Sequence, residues 1–214
     1  MRKVFFRLFA KISLYNRNRK YEEFLRILQP DSTTKVLDVG PSGEEDIASI
    51  NLFEKKYPHR NNITALGVED YSQFQQRYPG LKVVRYNGTT IPFKDKSFDI
   101  CWCNAVIEHV GNRDAQAAFL TEMARVSRGV VFSTPNRKFF FEPHAKVFLL
   151  HYLPERIARL LPLRVRRRIP AKDSLHAFSF GELQDFLQKS GIASPFIIKN
   201  KLLGFTLDFM VVMR

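Results

Sequence analysis

The stretch Lys35-Val-Leu-Asp-Val-Gly-Pro-Ser-Gly43 joins a short apolar run to a glycine turn, and its reading decides the fold. Val36, Leu37 and Val39 suit a strand covered on both faces, as in a parallel sheet. Gly40 and Gly43 let the backbone turn tightly and approach a ligand where a Cβ would intrude. Glu44, Glu45 and Asp46 come next, and acidic residues favour the positive end of a helix, so a helix is expected over 44–57, stopped before Pro58. Strand, glycine turn and helix form the first unit of a nucleotide-binding α/β fold. Asp38 narrows the ligand. A dinucleotide sets its pyrophosphate on the helix N-terminus, and a carboxylate just before Gly40 would repel it. Ser42 also stands where the second glycine of G-x-G-x-x-G belongs. An acidic strand end instead fits a ligand with a cationic head.

S-adenosylmethionine, with its sulfonium and ammonium groups, is such a ligand. Ile63 to Asp70 reads as a second strand ending in two acids, and a carboxylate at that tip commonly accepts from ribose hydroxyls. Lys82–Asn87, Ser97–Asn104 and Arg128–Thr134 read as strands 3, 4 and 5. Four blocks then stand in order: L-D-V-G-P-S-G at 37–43, N-G-x-x-I-P-F-x-D-x-S-F-D at 87–99, A-V-I-E-H-V at 105–110 and T-P-N-R-x-F-F-x-E-P-H at 134–144. Over roughly residues 30 to 190 the chain resembles the class I S-adenosylmethionine-dependent methyltransferases, in a subgroup often tied to bacterial cell-envelope polysaccharide or glycolipid synthesis. The resemblance implies an α/β, Rossmann-like three-layer sandwich with a seven-stranded, mostly parallel sheet and an antiparallel C-terminal hairpin.

The chain has 214 residues, enough for one domain with a substantial core, so 1–214 is expected to be a single methyltransferase domain. Its 45% hydrophobic content and 20 Phe exclude a disordered chain. The two cysteines, Cys101 and Cys103, alternate along strand 4 and should face one layer as reduced structural thiols. A metal site would need more ligands than these two, and none is expected. No run approaches the ~20 apolar residues of a membrane span. Arg7 and Lys11 interrupt the apolar N-terminus, which is unlike a secretory signal, so a cytoplasmic location is expected.

A net charge of +13 implies an anionic partner. Residues 1–20 hold seven Lys or Arg and no acid, and Phe5, Leu8, Phe9 and Ile12 follow helical spacing. Residues 156–168 interleave six arginines with Ile157, Leu160, Leu161 and Leu163. Basic amphipathic segments read as membrane-surface elements, which makes a peripheral place on the inner membrane face an expectation. A helix packed on its own sheet with a solvated basic face is the alternative, and nucleic acid would also satisfy the charge. Nucleic acid is the less favoured partner, because few aromatic platforms accompany the basic residues.

Residues 1–29 read as a pair of basic amphipathic helices stopped by Pro30. Tyr71–Tyr78 reads as a short helix and 112–127 as a longer one, with Phe119, Met123 and Val126 on one face. Residues 135–178 break the βα alternation and read as a lid-like insertion rich in Phe and Arg. Ser179 to Ser190 reads as a helix with a Ser179–Glu182 capping box and Gly191 as its terminator. Pro195–Lys199 and Phe205–Met213 would form the closing hairpin.

Candidate cofactor contacts are Asp38, Gly40, Pro41, Ser42 and Gly43, with Glu69 for the ribose and Asp70 as its rival. The resemblance places Asn87-Gly88 at the adenine amino group, where Asn can accept through its carbonyl; a plain turn is the alternative. Asn104 ends strand 4 at the crevice, near the methionine moiety. Methyl transfer from a sulfonium mostly needs alignment, and a base is required only for a hydroxyl acceptor. His109 and His144 are the candidate bases, with Glu108 and Glu142 beside them; Glu108-His109 could equally orient the loop. His151 and His176 read as structural or lid residues. The leading reading is methyl transfer to an oxygen of a sugar, glycolipid or other lipid-linked small acceptor. An RNA methyltransferase and a non-catalytic S-adenosylmethionine-binding protein are the alternatives. Acceptor and oligomeric state stay open.

Overall fold

A computed structural model describes residues 2–139, 141–142, 147–148, 176–192 and 194–214. In chain order the elements are α1 (Arg2–Leu28), β1 (Val36–Val39), α2 (Leu52–Lys56), β2 (Ile63–Gly67), α3 (Ser72–Arg77), β3 (Lys82–Arg85), β4 (Phe98–Asn104), α4 (Arg113–Val126) and β5 (Ser127–Pro135). The strand pair β6 (Phe141–Glu142) and β7 (Val147–Phe148) follows, then α5 (Phe180–Lys189), β8 (Phe196–Leu202) and β9 (Phe205–Met213).

Seven strands form one sheet in the order β3-β2-β1-β4-β5-β9-β8. The first five run parallel, and β9 enters antiparallel between β5 and β8. Strand alternation sorts the core into two faces. Leu37, Val39, Cys101, Cys103 and Phe132 pack with Phe119, Leu120 and Met123 of α4 and Leu183 and Leu187 of α5. Val36, Ile100, Trp102, Val131 and Met210 pack with Phe24 of α1, Phe53 of α2 and Phe74 of α3. This is the expected three-layer arrangement. Because both faces are covered, β1 is buried at all four positions, which explains its unbroken apolar run around Asp38. Cys101 and Cys103 share the α4–α5 layer, and burial pushes both thiols up.

Three local expectations differ from the structure. The helix expected over 44–57 exists only as α2. Residues 44–51 form a loop whose Glu45 caps no helix: it accepts from Asn51 and from the Tyr78 hydroxyl and pairs with Lys55 and Arg77 at 2.8 and 3.2 Å. Burial works against its charge, but hydrogen bonds from Lys55, Tyr78 and Asn51 outweigh it and hold Glu45 below the ordinary carboxylate range. The N-terminal helix pair is one continuous helix, since nothing between Arg2 and Leu28 is Gly or Pro. Strands 2 and 3 also end earlier than expected, at Gly67 and Arg85.

The capping box of α5 is present, Ser179 donating to Glu182 from both its backbone nitrogen and its hydroxyl at 2.8 Å. The two feet of the insertion are fastened together by the Arg137 backbone nitrogen, which donates to the Phe178 carbonyl at 2.8 Å, and the Asn136 nitrogen ties the first foot to Leu207 of β9 at 3.0 Å. Most of the lid-like segment, including His144, His151 and the arginines of 156–168, lies outside the described residues.

Candidate active site

At the carboxyl ends of β1, β2 and β4 lies a cavity of about 530 Å³, walled on one side by α1 and α2. The turn after β1 forms its floor. Gly40 takes φ +79° and donates to the Leu66 carbonyl at 2.8 Å. A Cβ on Gly40 would come within 2.4 Å of Val106 Cγ2. Val106 is brought there by Ala105, a non-glycine residue at φ +59° directly after β4. Such backbone is costly and gathers at sites where the chain must turn toward a ligand. The Gly43 nitrogen donates to Glu69 Oε2 at 3.3 Å, and a Cβ there would sit 2.7 Å from the Asp70 carbonyl. Asn51, itself at φ +51°, braces the turn by accepting from the Ser42 nitrogen and donating to the Ser42 carbonyl, both at 2.9 Å. The Tyr71 hydroxyl holds the Pro41 carbonyl at 3.0 Å.

Of the candidates read from sequence, Asp38, Gly40, Pro41, Ser42, Glu69, Asn104 and His109 line this cavity. Others do not. Asp70 accepts from the Ser72 nitrogen at 3.0 Å and from its hydroxyl, and so starts α3. Asn87 Oδ1 accepts from the Thr89 nitrogen and hydroxyl at 3.0 and 2.8 Å, a local turn that carries Gly88 at φ +84°. Tyr86 takes their place on the cavity wall, its hydroxyl pushed up to about 12 mainly by burial. His109 and Glu108 part company: His109 is exposed at the cavity rim, whereas Glu108 is fully buried beneath it. The Glu108 carbonyl accepts from the His176 nitrogen, which ties this turn to the foot of the insertion. His144 lies outside the described residues, as does the side chain of Glu142.

The electrostatics centre on three residues, two of which no motif marked. Asp38 and Glu54 are only 4% and 2% exposed, and Arg17 of α1 lines the same cavity. Burial pushes Asp38 well above the ordinary carboxylate range, and the charge of Glu54 adds to the shift while Arg17 opposes it. Glu54 is raised as well, again chiefly by burial. Its Oε1 has no hydrogen-bond partner. The Arg17 guanidinium is lowered by burial, against the pull of Glu54, Asp208, Asp38 and Glu108. With both carboxyls ionised this wall is one positive charge short, a shortfall that a retained proton meets in the empty protein and that a cationic ligand could meet instead; the unsatisfied buried Glu54 Oε1 beside the cavity suits such a ligand. Trp102, stacked on Phe53 at 5.2 Å, presents an aromatic surface to the same space.

A second chain of contacts fixes Asn104. Lys20 of α1 pairs with Asp208 at 3.0 Å and donates to the Ser133 hydroxyl at 3.1 Å, and Ser133 Oγ lies 2.7 Å from Asn104 Oδ1. With Oδ1 engaged, Asn104 has its Nδ2 donor for a ligand. Sequence reasoning missed Arg17, Tyr21, Asn51, Glu54, Tyr71 and Trp102. Arg17 was hidden in the basic run, and Glu54 in a segment expected to be uniformly helical. Among the described residues no three His, Cys, Asp or Glu side chains converge as a metal set, and no helix is long and apolar enough to cross a membrane.

Comparison with known proteins agrees with this geometry. Residues 37–131, which span β1 to β5, match the family described as a methyltransferase domain. Over 66 residues the chain is 41% identical to two Mycobacterium tuberculosis proteins described as probable S-adenosylmethionine-dependent methyltransferases. The match takes in 29% of this chain and 23% of theirs, so the chain spans less than a quarter of those relatives' length. Among solved structures, a SAM-dependent methyltransferase from Aquifex aeolicus aligns with TM-score 0.59 and 16% identity over 95% of this chain and 92% of its own. The Burkholderia thailandensis 1,6-didemethyltoxoflavin-N1-methyltransferase, solved with S-adenosylhomocysteine, aligns with TM-score 0.61 and 14% identity over 94% of this chain and 78% of its own. At such identities the likeness speaks for the fold, and the domain match speaks for the strand-and-turn unit that builds the cavity. The segment from β1 to β5 is thus similar to the methyltransferase domain, and the whole chain shares the fold of solved S-adenosylmethionine-dependent methyltransferases.

Proposed function

We propose that this chain binds S-adenosylmethionine in the cavity above β1, β2 and β4 and methylates an oxygen of a sugar, glycolipid or other lipid-linked acceptor at a membrane surface. The observation that carries the cofactor half is the charge imbalance of the cavity wall, where buried Asp38 and Glu54 face a single guanidinium, that of Arg17. In this reading the two carboxylates hold the ammonium and sulfonium end. Arg17 and Asn104 Nδ2 hold the methionine carboxylate, and Glu69 takes the ribose hydroxyls. The Gly40–Gly43 turn supplies close backbone, and Tyr86 flanks the base together with Asn87-Gly88.

Bound there, the cofactor supplies a methyl already activated by its sulfonium. The reaction forms an O–CH₃ bond as the S–CH₃ bond breaks, leaving the thioether product and one proton from the acceptor hydroxyl. In this reading His109, which is exposed and lines the cavity, takes that proton. His144 is retained as the second candidate base, carried by the insertion. Glu108 supports the His109 turn from beneath and does not touch the acceptor.

The acceptor half rests on the charge of the chain and on the apolar side chains α1 exposes, among them Leu8 at 54%. The test is transfer of labelled methyl from S-adenosylmethionine to membrane lipid, soluble saccharide and structured RNA in parallel. Label in the lipid or saccharide fraction, lost in His109→Ala by about 10²–10⁴-fold with cofactor affinity kept, is the expected result. Label confined to RNA, or no transfer to any fraction, would overturn the acceptor reading.

A further inference from the structure

The hairpin that closes the sheet carries a residue its backbone does not favour. Leu202 pairs with Phe205, so Leu203 and Gly204 alone make the turn, at φ +49° and +84°. Two successive positive φ values define a type I′ turn, whose first position belongs to Asn, Asp or Gly. Here it is leucine, 87% exposed, with Phe205 beside it 61% exposed. An apolar, branched side chain in left-handed backbone at a solvent-facing tip breaks two local preferences at once. Such departures mark places selected for something other than folding.

The tip has apolar company. Leu8, Ile12, Tyr15 and Arg19 recur at i, i+4, i+7 and i+11 and therefore share one stripe of α1, opposite the side that carries Arg17, Lys20 and Phe24. Leu8 and Tyr15 are 54% and 56% exposed. Arg19 links the two elements, its guanidinium 5.7 Å from the Tyr15 ring centroid and one nitrogen donating to the Lys201 carbonyl at 2.9 Å. Both elements point the same way. Pro135, the last residue of β5, pairs with Asp208, so the hairpin tip lies beyond the carboxyl ends of the parallel strands, where the cavity opens. Lys20 of α1 meets Asp208 at that level, whereas Ile27 meets Arg214 at the other end of β9. Among the described residues the hydrogen bonds from α1 to the body begin at Ser13, so the preceding turns extend past the sheet by about 1.5 Å per residue. Arg7, Lys11 and Lys201 are exposed on this end, and the first acid in the chain is Glu22.

We infer that Leu203 at the hairpin tip and the Leu8–Ile12–Tyr15 stripe of α1 form one docking face for an anionic lipid bilayer, with the mouth of the cofactor cavity on the membrane side. It rests on the membrane-surface acceptor proposed above and adds which residues touch lipid and how the site is turned. The occupant is a bilayer because apolar tips flanked by Arg and Lys match the acyl–headgroup boundary, with Tyr15 at the interface.

Flotation of the full chain with phosphatidylglycerol vesicles and with neutral phosphatidylcholine vesicles tests this face. Recovery on the anionic vesicles alone, released by high salt, is expected. Leu203→Ser should lower the partition about tenfold, the value of one buried leucine side chain, and Arg7→Gln with Lys11→Gln roughly thirtyfold. S-adenosylhomocysteine affinity should stay unchanged in each variant, which reports an intact fold. Equal recovery on both lipids, wild-type flotation of Leu203→Ser, or binding to structured RNA that displaces the vesicles would each overturn the docking face. Methyl transfer to lipid that survives without flotation removes this face but leaves the acceptor reading standing; flotation without transfer does the reverse.

Discussion

Asp38 sits at the end of a strand buried on both faces, and Glu54 reaches the same cavity from a helix on the adjoining side. Both carboxyls are almost wholly buried, so desolvation raises both, and together with Arg17 they hold a proton that an exposed pair would release. A cationic ligand reverses the balance and expels that proton. Affinity for S-adenosylmethionine should therefore climb as pH rises from the ordinary carboxylate range through the raised one, and level off above it. The empty protein should behave oppositely. Its folded state binds a proton that the unfolded chain has lost, so its stability should decline over the same pH span and then flatten. Calorimetry in buffers of different ionisation enthalpy should record proton release on binding. Glu54→Gln should reduce that release, because it removes the charge and hydrogen bond that add to the Asp38 shift, and undiminished release in this variant would place the proton elsewhere.

At the scale of elements, α1 is held by a buried charge network. Lys20 and Asp208 are 3% and 6% exposed, and Asn16 at 2.5 Å and Asn200 at 2.7 Å complete the shell around Asp208. Lys20→Met should cost about 3 kcal/mol, because Asp208 would stay buried with amides alone. Arg19→Ala, on the exposed side, should cost less than about 0.5 kcal/mol. Chemical unfolding of both variants checks this, and equal midpoints would contradict the network. Basic residues of one run thus serve two ends, and the run alone did not separate them. The parallel strands were legible because a strand covered on both faces is apolar throughout. The loop 44–51 was not, because Asn51 and the long-range partners of Glu45 stabilise it, and those contacts leave no periodicity. Glu54 went unread for the same reason: its direction depends on α2 starting at Leu52 and not at Glu44.

At the scale of the molecule, the sheet order brings the carboxyl ends of β1 and β4 together, and the insertion and the C-terminal hairpin both leave from that same end. The mouth of the cavity and the exposed apolar hairpin tip are in this way collected on one side. Asp38, Glu69, Asn104 and His109 could be named from sequence because each lies at or just past the carboxyl end of a strand, and these ends meet at the crevice. Arg17 could not, because its place depends on where a separate helix docks. The claim on which the rest depends is that the cavity takes a cationic nucleoside. Titration calorimetry of the full chain with S-adenosylmethionine, S-adenosylhomocysteine and NAD tests it most directly. Binding of the first two, silence with NAD, and a loss on the order of 1–3 kcal/mol in Asp38→Ala are expected; NAD binding, or undiminished S-adenosylmethionine affinity in Asp38→Ala, would contradict it.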